Sequence, residues 1–327
     1  MIELSRDVFE VLRSDKDFVL YRGQREDDQS QAAFASSGAP LVLGEPNVGE
    51  EPRPSPADAG RSRVLVLSPL TEYVAPEILR WFENAYSLRE ELDRRWAARP
   101  VAIARQWDRT VLVLEDPGGI PLDQLLAEPL ELDAWLRLSI NLANAVDHLH
   151  QCDIVHKDIK PANVLVEPRT AQCWLMGFLI ASRLLRERQP PQPPEFIAGT
   201  PAYMAPEQTG RMNRSIDPRS DLYALGVTLY ETLTGSLPFI ASDPMEWVHC
   251  HIARQPVPPN EWRRDVPPTI SAIILKLLSK TAEDRYQTAA GLVADLTKCL
   301  AEWESHRPIS SFSLGAQDIS EIGRAHV

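Results

Sequence analysis

Hydrophobic positions along the chain change period near residue 120. Before it they come in short runs. Val8, Phe9, Val11 and Leu12, followed by Phe18, Val19, Leu20 and Tyr21, predict a short helix leading into an edge strand. "RVLVLSP" (63–69) predicts a buried strand, and "APEILRWFENAYSLREEL" (75–92) an amphipathic helix opened by Pro76, with Ile78, Phe82, Ala85 and Leu92 near one face. "VAIARQW" and "TVLVLED" predict further strands, closed by the turn "DPGGIP" at 116–121. Beyond that turn the spacing becomes helical. "LDAWLRLSINLANAVDHLH" (132–150) sets Leu138, Leu142, Ala145 and Leu149 on one stripe, and "SDLYALGVTLYETLTG", "TISAIILKLLSK" and "AEDRYQTAAGLVADLTKCLAEWE" behave alike. From about Gln24 to Arg63 periodicity gives way to Gly, Ser, Pro and acidic residues, a composition unable to offset its ordering entropy and expected to be a flexible insertion. No internal repeat is visible. The pattern predicts a bilobal α+β chain: a small β-rich lobe over 1–117, a larger α-helical lobe over 118–304, a cleft at the hinge between them, and a linker or tail over 305–327.

Composition narrows the function. The 327 residues are 44% hydrophobic, enough for a substantial core, and no apolar run approaches the roughly 20 residues that span a bilayer. The charged, amphipathic N-terminus lacks a signal-peptide core, so a cytoplasmic location is expected. A formal charge of −12 with no basic patch argues against nucleic acid, and membrane insertion is not expected. Cys152, Cys173, Cys250 and Cys299 show neither CxxC nor zinc spacing and are expected to be reduced. His249, Cys250 and His251 lie on a predicted helix where adjacent residues diverge, which excludes convergence on one metal.

The chemistry is carried by "HKDIKPAN" (156–163). His156, Asp158 and Asn163 hold the offsets of the H-R-D-x-x-x-x-N catalytic loop, and the chain here resembles the eukaryotic-type serine/threonine protein kinases. "GTPAYMAPE" (199–207) is similar to the end of a kinase activation segment; Asp221 and Arg285 fall where the family has a buried aspartate under the catalytic loop and an arginine paired with the A-P-E glutamate, here Glu207. The resemblance implies that Asp158 orients a substrate hydroxyl and accepts its proton, Lys160 neutralises the transferring phosphoryl group, Thr200 bonds both, and Asn163 holds a metal. It further implies that the nucleotide rests against Leu114, Glu115 and Leu165. ATP and magnesium are the implied cofactors if the domain is active, and none is implied if it is not.

The same comparison exposes departures. Where kinases place D-F-G the chain has Gly177, Phe178 and Leu179, so the magnesium carboxylate is missing. The strand lysine falls at Leu67, or at Ser68 if the register slips by one. Its helical partner glutamate falls near Ala85; Glu83, the closest carboxylate, is two residues away and aimed elsewhere. No G-x-G-x-x-G is present, and Gly23 stands alone before the acidic Glu26, Asp27 and Asp28. Pro117 cannot donate a hinge N–H, Lys157 cannot grip a phosphate bidentately as arginine does, and "RQPPQPPEF" (188–196) is a stiff spacer rather than a phosphorylated switch.

From about Arg63 to Glu304 the chain is similar to the N-terminal kinase-like module of large bacterial signalling proteins that continue into an ATPase domain, a GAF sensor and a histidine kinase. That similarity implies a degenerate or very weak kinase acting as a regulatory or scaffold module. An active serine/threonine kinase with substitute ligands is the alternative. The implied partners are a protein substrate or downstream ATPase and histidine-kinase domains. "EIGRAHV" (321–327) looks like a translated sequencing adapter and is expected to be non-biological.

Overall fold

In the computed structural model, which describes residues 9–26, 61–71, 75–184, 199–211 and 214–318, the described residues pack as two units. Those of Met1–Val74 with Val101–Asp116 form one, and Ala75–Pro100 with those of Pro117–Val327 form the other. Among them no helix is long and apolar enough to cross a membrane.

The first unit is a five-stranded sheet of β1 (Glu10–Ser14), β2 (Phe18–Glu26), β3 (Arg61–Pro69), β4 (Pro100–Gln106) and β5 (Arg109–Glu115), in the order β1-β2-β3-β5-β4. Because successive side chains alternate across a strand, "VLVL" runs load both faces. Val64, Val66, Val111 and Val113 form one core, packed by Phe9, Tyr21, Ala102 and Ala104. Leu65, Leu67, Leu112 and Leu114 are buried on the opposite pleat. The β4–β5 hairpin turns through Trp107 and Asp108, both at positive φ (50° and 59°), and the Trp107 ring sits 4.9 Å from Phe9 and 4.8 Å from Tyr21.

Three expectations are corrected here. Residues 10–14 are a strand, not a helix: β1 pairs antiparallel with β2, and a register shift between Val11 and Arg13 inserts Leu12 as an extra residue. That bulge breaks strict alternation, which is why the apolar spacing mimics a helix. The expected insertion begins too early and ends too late, since Gln24, Arg25 and Glu26 pair with Arg63, Ser62 and Arg61; backbone ladder bonds carry the strands past their last apolar residue. The helix expected over 75–92 is α1 (Pro76–Ser87), after which the Leu88 amide bonds the Ala85 carbonyl and the chain turns. The remainder of the insertion (27–60), the proline-rich spacer (188–196) and the adapter-like ending (321–327) lie outside the described residues.

The second unit is helical, built on α1, α2 (Leu132–Gln151), α3 (Pro218–Thr234), α4 (Pro244–Ala253), α5 (Pro259–Trp262), α6 (Pro268–Leu277) and α7 (Ala289–Glu304). Helix α3 is buried along nearly its whole length, as its apolar composition on every side requires. Its start is fixed by Asp217, whose side chain accepts the Arg219 amide, with Pro218 in the first turn and Ser220 completing a capping box. The buried Trp135 of α2 donates its indole N–H to the Leu229 carbonyl of α3 at 3.0 Å, locking the two helices together. A short sheet of β6 (Ile120–Pro121), β8 (Val164–Val166) and β9 (Cys173–Leu175) and a pair of β7 (Ile154–Val155) with β10 (Ser182–Arg183) hold the loops between them.

Candidate active site

Between β7 and β8 the loop 156–163 hangs on one buried carboxylate. Asp221, in the first turn of α3, accepts the His156 and Lys157 amides at 2.8 Å each and faces His150 Nε2 at 3.0 Å. Lys157 is thereby kept in the left-handed region at φ 67°. Burial pushes the Asp221 carboxyl upward, but the bond from His150, the neighbouring imidazoles and the His156 amide outweigh it and hold the group below the ordinary carboxylate range. The His156 ring is fully buried, 4.9 Å from Phe178, and burial keeps it neutral by lowering its pKa. Its Nε2 meets the Met176 carbonyl at 3.0 Å, an acceptor only, so Nε2–H donates and Nδ1 is left to accept the Asp158 amide at 3.3 Å.

Four sequence-derived site residues converge on this loop. Lys160 Nζ lies 2.8 Å from Asp158 Oδ2 and donates to the Thr200 hydroxyl at 2.5 Å. Thr200 in turn donates to Asp158 Oδ1 through its hydroxyl (2.8 Å) and its amide (3.0 Å). Asn163 Nδ2 donates both to the Asp158 carbonyl and to Asp158 Oδ2, each at 2.8 Å. The network orients the Asp158 carboxylate. Leu165 is fully buried on β8, paired with Pro121 and Trp174. In the sheet unit Leu114 is buried and Glu115 half-buried at the end of β5.

Beside Asn163 sits Gly177, at φ 80°, where a Cβ would lie 2.7 Å from Asn163 Cγ and Oδ1. The backbone there is left-handed and its space is filled by the carboxamide, so the position supplies no ligand. Among the described residues no group of three or more His, Cys, Asp or Glu side chains could hold a metal. Position 177 therefore offers no carboxylate to a magnesium ion beside Asn163.

Among the described residues of the sheet unit, the first turn is closed on its own carboxylate. The turn between β1 and β2 is Asp15-Lys16-Asp17, and Asp15 Oδ1 accepts the Asp17 and Phe18 amides at 2.9 and 2.8 Å. The Asp17 and Phe18 amides are therefore already bonded to a carboxylate. Leu67 is buried, paired across β2 and β5 with Leu20 and Leu112, and the buried Ser68 donates to the Pro69 carbonyl. Gly23 lies in β2 against the Phe9 ring, a packing role.

Elements around the loop are tied by residues that sequence reasoning missed. Ala85 is buried in α1 and Glu83 is exposed, while Asn84 donates its carboxamide to the Leu179 and Ala181 carbonyls at 3.2 and 2.8 Å. Arg183 adds a bond to Glu91 (2.6 Å) and to the Ser87 carbonyl (3.1 Å). Gln208 donates to the Lys157 carbonyl at 2.8 Å. Only adjacency to the Ala85 position could have singled out Asn84; nothing in the sequence marks Gln208.

At the segment's end Arg285 donates to both Glu207 oxygens at 2.7 and 2.9 Å, in a pair wholly removed from water. His251, near the end of α4, bonds the Pro201 carbonyl through Nε2 (2.8 Å), leaving Nδ1 to accept the Tyr223 hydroxyl (2.9 Å). Burial drives its pKa from 6.5 down to about 4. Between those values the unfolded chain takes up a proton that the folded chain refuses, so stability is full above pH 6.5 and falls as pH drops towards 4. The urea midpoint of His251→Gln, which keeps a donor for Pro201, should vary less over that window than that of the parent. Equal slopes would remove His251 from the acid response.

Residues 98–296 match the protein kinase domain family. The serine/threonine-protein kinase PknB of Mycolicibacterium smegmatis is 35% identical over 189 residues, covering 57% of this chain and 30% of that protein. For PksC of Streptomyces coelicolor the figures are 31% over 218 residues, 65% and 38%, and for PknB of Mycobacterium leprae 36% over 189, 57% and 30%. The matched region thus spans 30% to 38% of the length of these curated relatives. With well over half of its length matched, and with a β-sheet unit followed by a helical one, the chain belongs to the protein kinase domain family.

Proposed function

We propose that this kinase-like domain is degenerate, acting as a regulatory or scaffold module for a protein substrate or for domains of a longer protein rather than as an efficient phosphotransferase. The observation that carries this reading is Gly177: its left-handed backbone abuts the Asn163 carboxamide where the family has the metal carboxylate. Leu67 in place of a cation and the self-bonded Asp15 turn support it. Removing one preorganised electrostatic group typically costs about 10²–10³ in rate, so two such losses would take a usual turnover of roughly 1–100 s⁻¹ to about 10⁻⁶–10⁻² s⁻¹.

One observation favours the alternative of an active serine/threonine kinase. Asp158, Lys160, Thr200 and Asn163 form a complete network that aims the Asp158 carboxylate, and in that reading Asp158 directs a hydroxyl and takes its proton while Lys160 offsets negative charge.

A thermal-shift titration separates the two. A ligand at 100 times its dissociation constant stabilises a folded protein by about 2.7 kcal/mol. ATP with magnesium should give no resolvable shift, and Asp158→Asn should change no phosphorylation signal. A clear rise in melting temperature that chelator abolishes would overturn the degenerate reading.

A further inference from the structure

After α7 the chain does not leave the domain. Residues 309–318 run back along α6 and α7 and are held at each step. Thr269 donates to the Ser310 carbonyl at 2.9 Å, and Ser310 bonds Glu302 through its amide (2.7 Å) and hydroxyl (2.8 Å). Lys298 Nζ lies 3.9 Å from the centre of the Phe312 ring. The Gly315 amide donates to Asp295 Oδ2 at 2.7 Å, the oxygen that also accepts the buried Tyr286 hydroxyl.

The strap ends on Asp318. Its carboxylate accepts the Gln287 amide, the Thr288 amide (2.8 Å) and the Thr288 hydroxyl (2.7 Å), at the N-terminus of α7 where Thr288 is the cap. Gly291 makes room for it: a Cβ at 291 would lie 2.6 Å from Asp318 Oδ1. The region matched to the kinase family stops at 296, before any of the strap.

The loop that Asp318 grips is the one that carries Arg285. Gln287, whose amide bonds Asp318, also accepts Arg219 Nη1 at 2.9 Å through its side chain, and Arg285 bonds the Arg219 carbonyl at the same distance while holding Glu207. Strap, Arg285 loop and Glu207 segment are consecutive links of one hydrogen-bonded chain.

We infer that the segment Ser310–Asp318 is an intramolecular latch, and that its docking on the start of α7 stabilises the Glu207 segment through Arg285. Tension or competition applied to the chain at Asp318 is then felt where the activation segment ends. This inference needs no catalysis and holds whether or not the domain transfers phosphate.

Amide hydrogen exchange on the full chain tests it. Reporters are Ser310, Gly315 and Asp318 in the strap, Ala205 and Gln208 beside Glu207, and the interior of α2 as reference. Asp318→Ala removes the carboxylate, and Gly291→Ala evicts it sterically while leaving it intact. Both should speed exchange at the strap reporters and at Ala205 and Gln208 by about tenfold, the size of a lost helix-capping interaction, with α2 unchanged. The latch is refuted if parent strap amides exchange at the rate of an unstructured peptide. It is also refuted if either variant frees the strap while Ala205 and Gln208 keep their protection, or if all regions, α2 included, loosen equally.

Discussion

Arg285→Ala should lower the domain's unfolding free energy by about 3–5 kcal/mol, the cost of stranding one member of a buried ion pair. Arg285 and Glu207 have side chains 0% and 2% exposed, so neither charge has water to fall back on. The guanidinium makes more than the two bonds to Glu207. It also donates to the carbonyls of Arg219, Ser279 and Lys280, and truncation would leave those acceptors without it. Urea unfolding followed by far-ultraviolet circular dichroism gives the number. Replacing both partners by apolar residues, Arg285→Met with Glu207→Leu, should recover the part of the loss that comes from the uncompensated charge, leaving the cost of the three carbonyls and the Ser220 hydroxyl. A single-variant loss under about 1 kcal/mol, the size expected of an exposed pair, would contradict the burial argument.

Asp221→Ala is expected to be comparably damaging, with a more local origin. Two amides, the buried His156 and the half-buried Lys157, would lose their acceptor at once, at about 1–3 kcal/mol each. Lys157 would also lose the bond that holds it in the left-handed region. The loss should reach about 2–6 kcal/mol, with rapid exchange at the 156 and 157 amides and a displaced Asp158. Since the Asp221 pKa lies below its ordinary 3.8, the contribution is intact above that value and fades only as pH falls through the depressed pKa, which makes neutral pH the right condition. Retained protection at His156 and Lys157 in the variant would show that Asp221 does not support the loop.

What the sequence made legible depends on how each feature is encoded. That Asp158, Lys160, Asn163 and Thr200 lie together was readable because the resemblance rests on residue identity at fixed spacing, and the four groups bond one another. Helices α2 and α3 were readable from their apolar spacing. Strand β1 was not, because the bulge at Leu12 shifts its phase and pairing with β2 overrides local pattern. The end of α1 was overrun because Leu92 continues the apolar stripe after the backbone has turned. Gln208 and Asp318 left no trace, and Asn84 only its place beside Ala85, since each bonds backbone groups distant in sequence and a polar residue carries no sign of such a partner.

The Asn84 clamp has an evolutionary corollary. Both of its acceptors are main-chain oxygens, which every amino acid carries, so drift at positions 179 and 181 cannot erase them. Heritable control over this pair of bonds therefore rests on a single codon, the one that specifies residue 84.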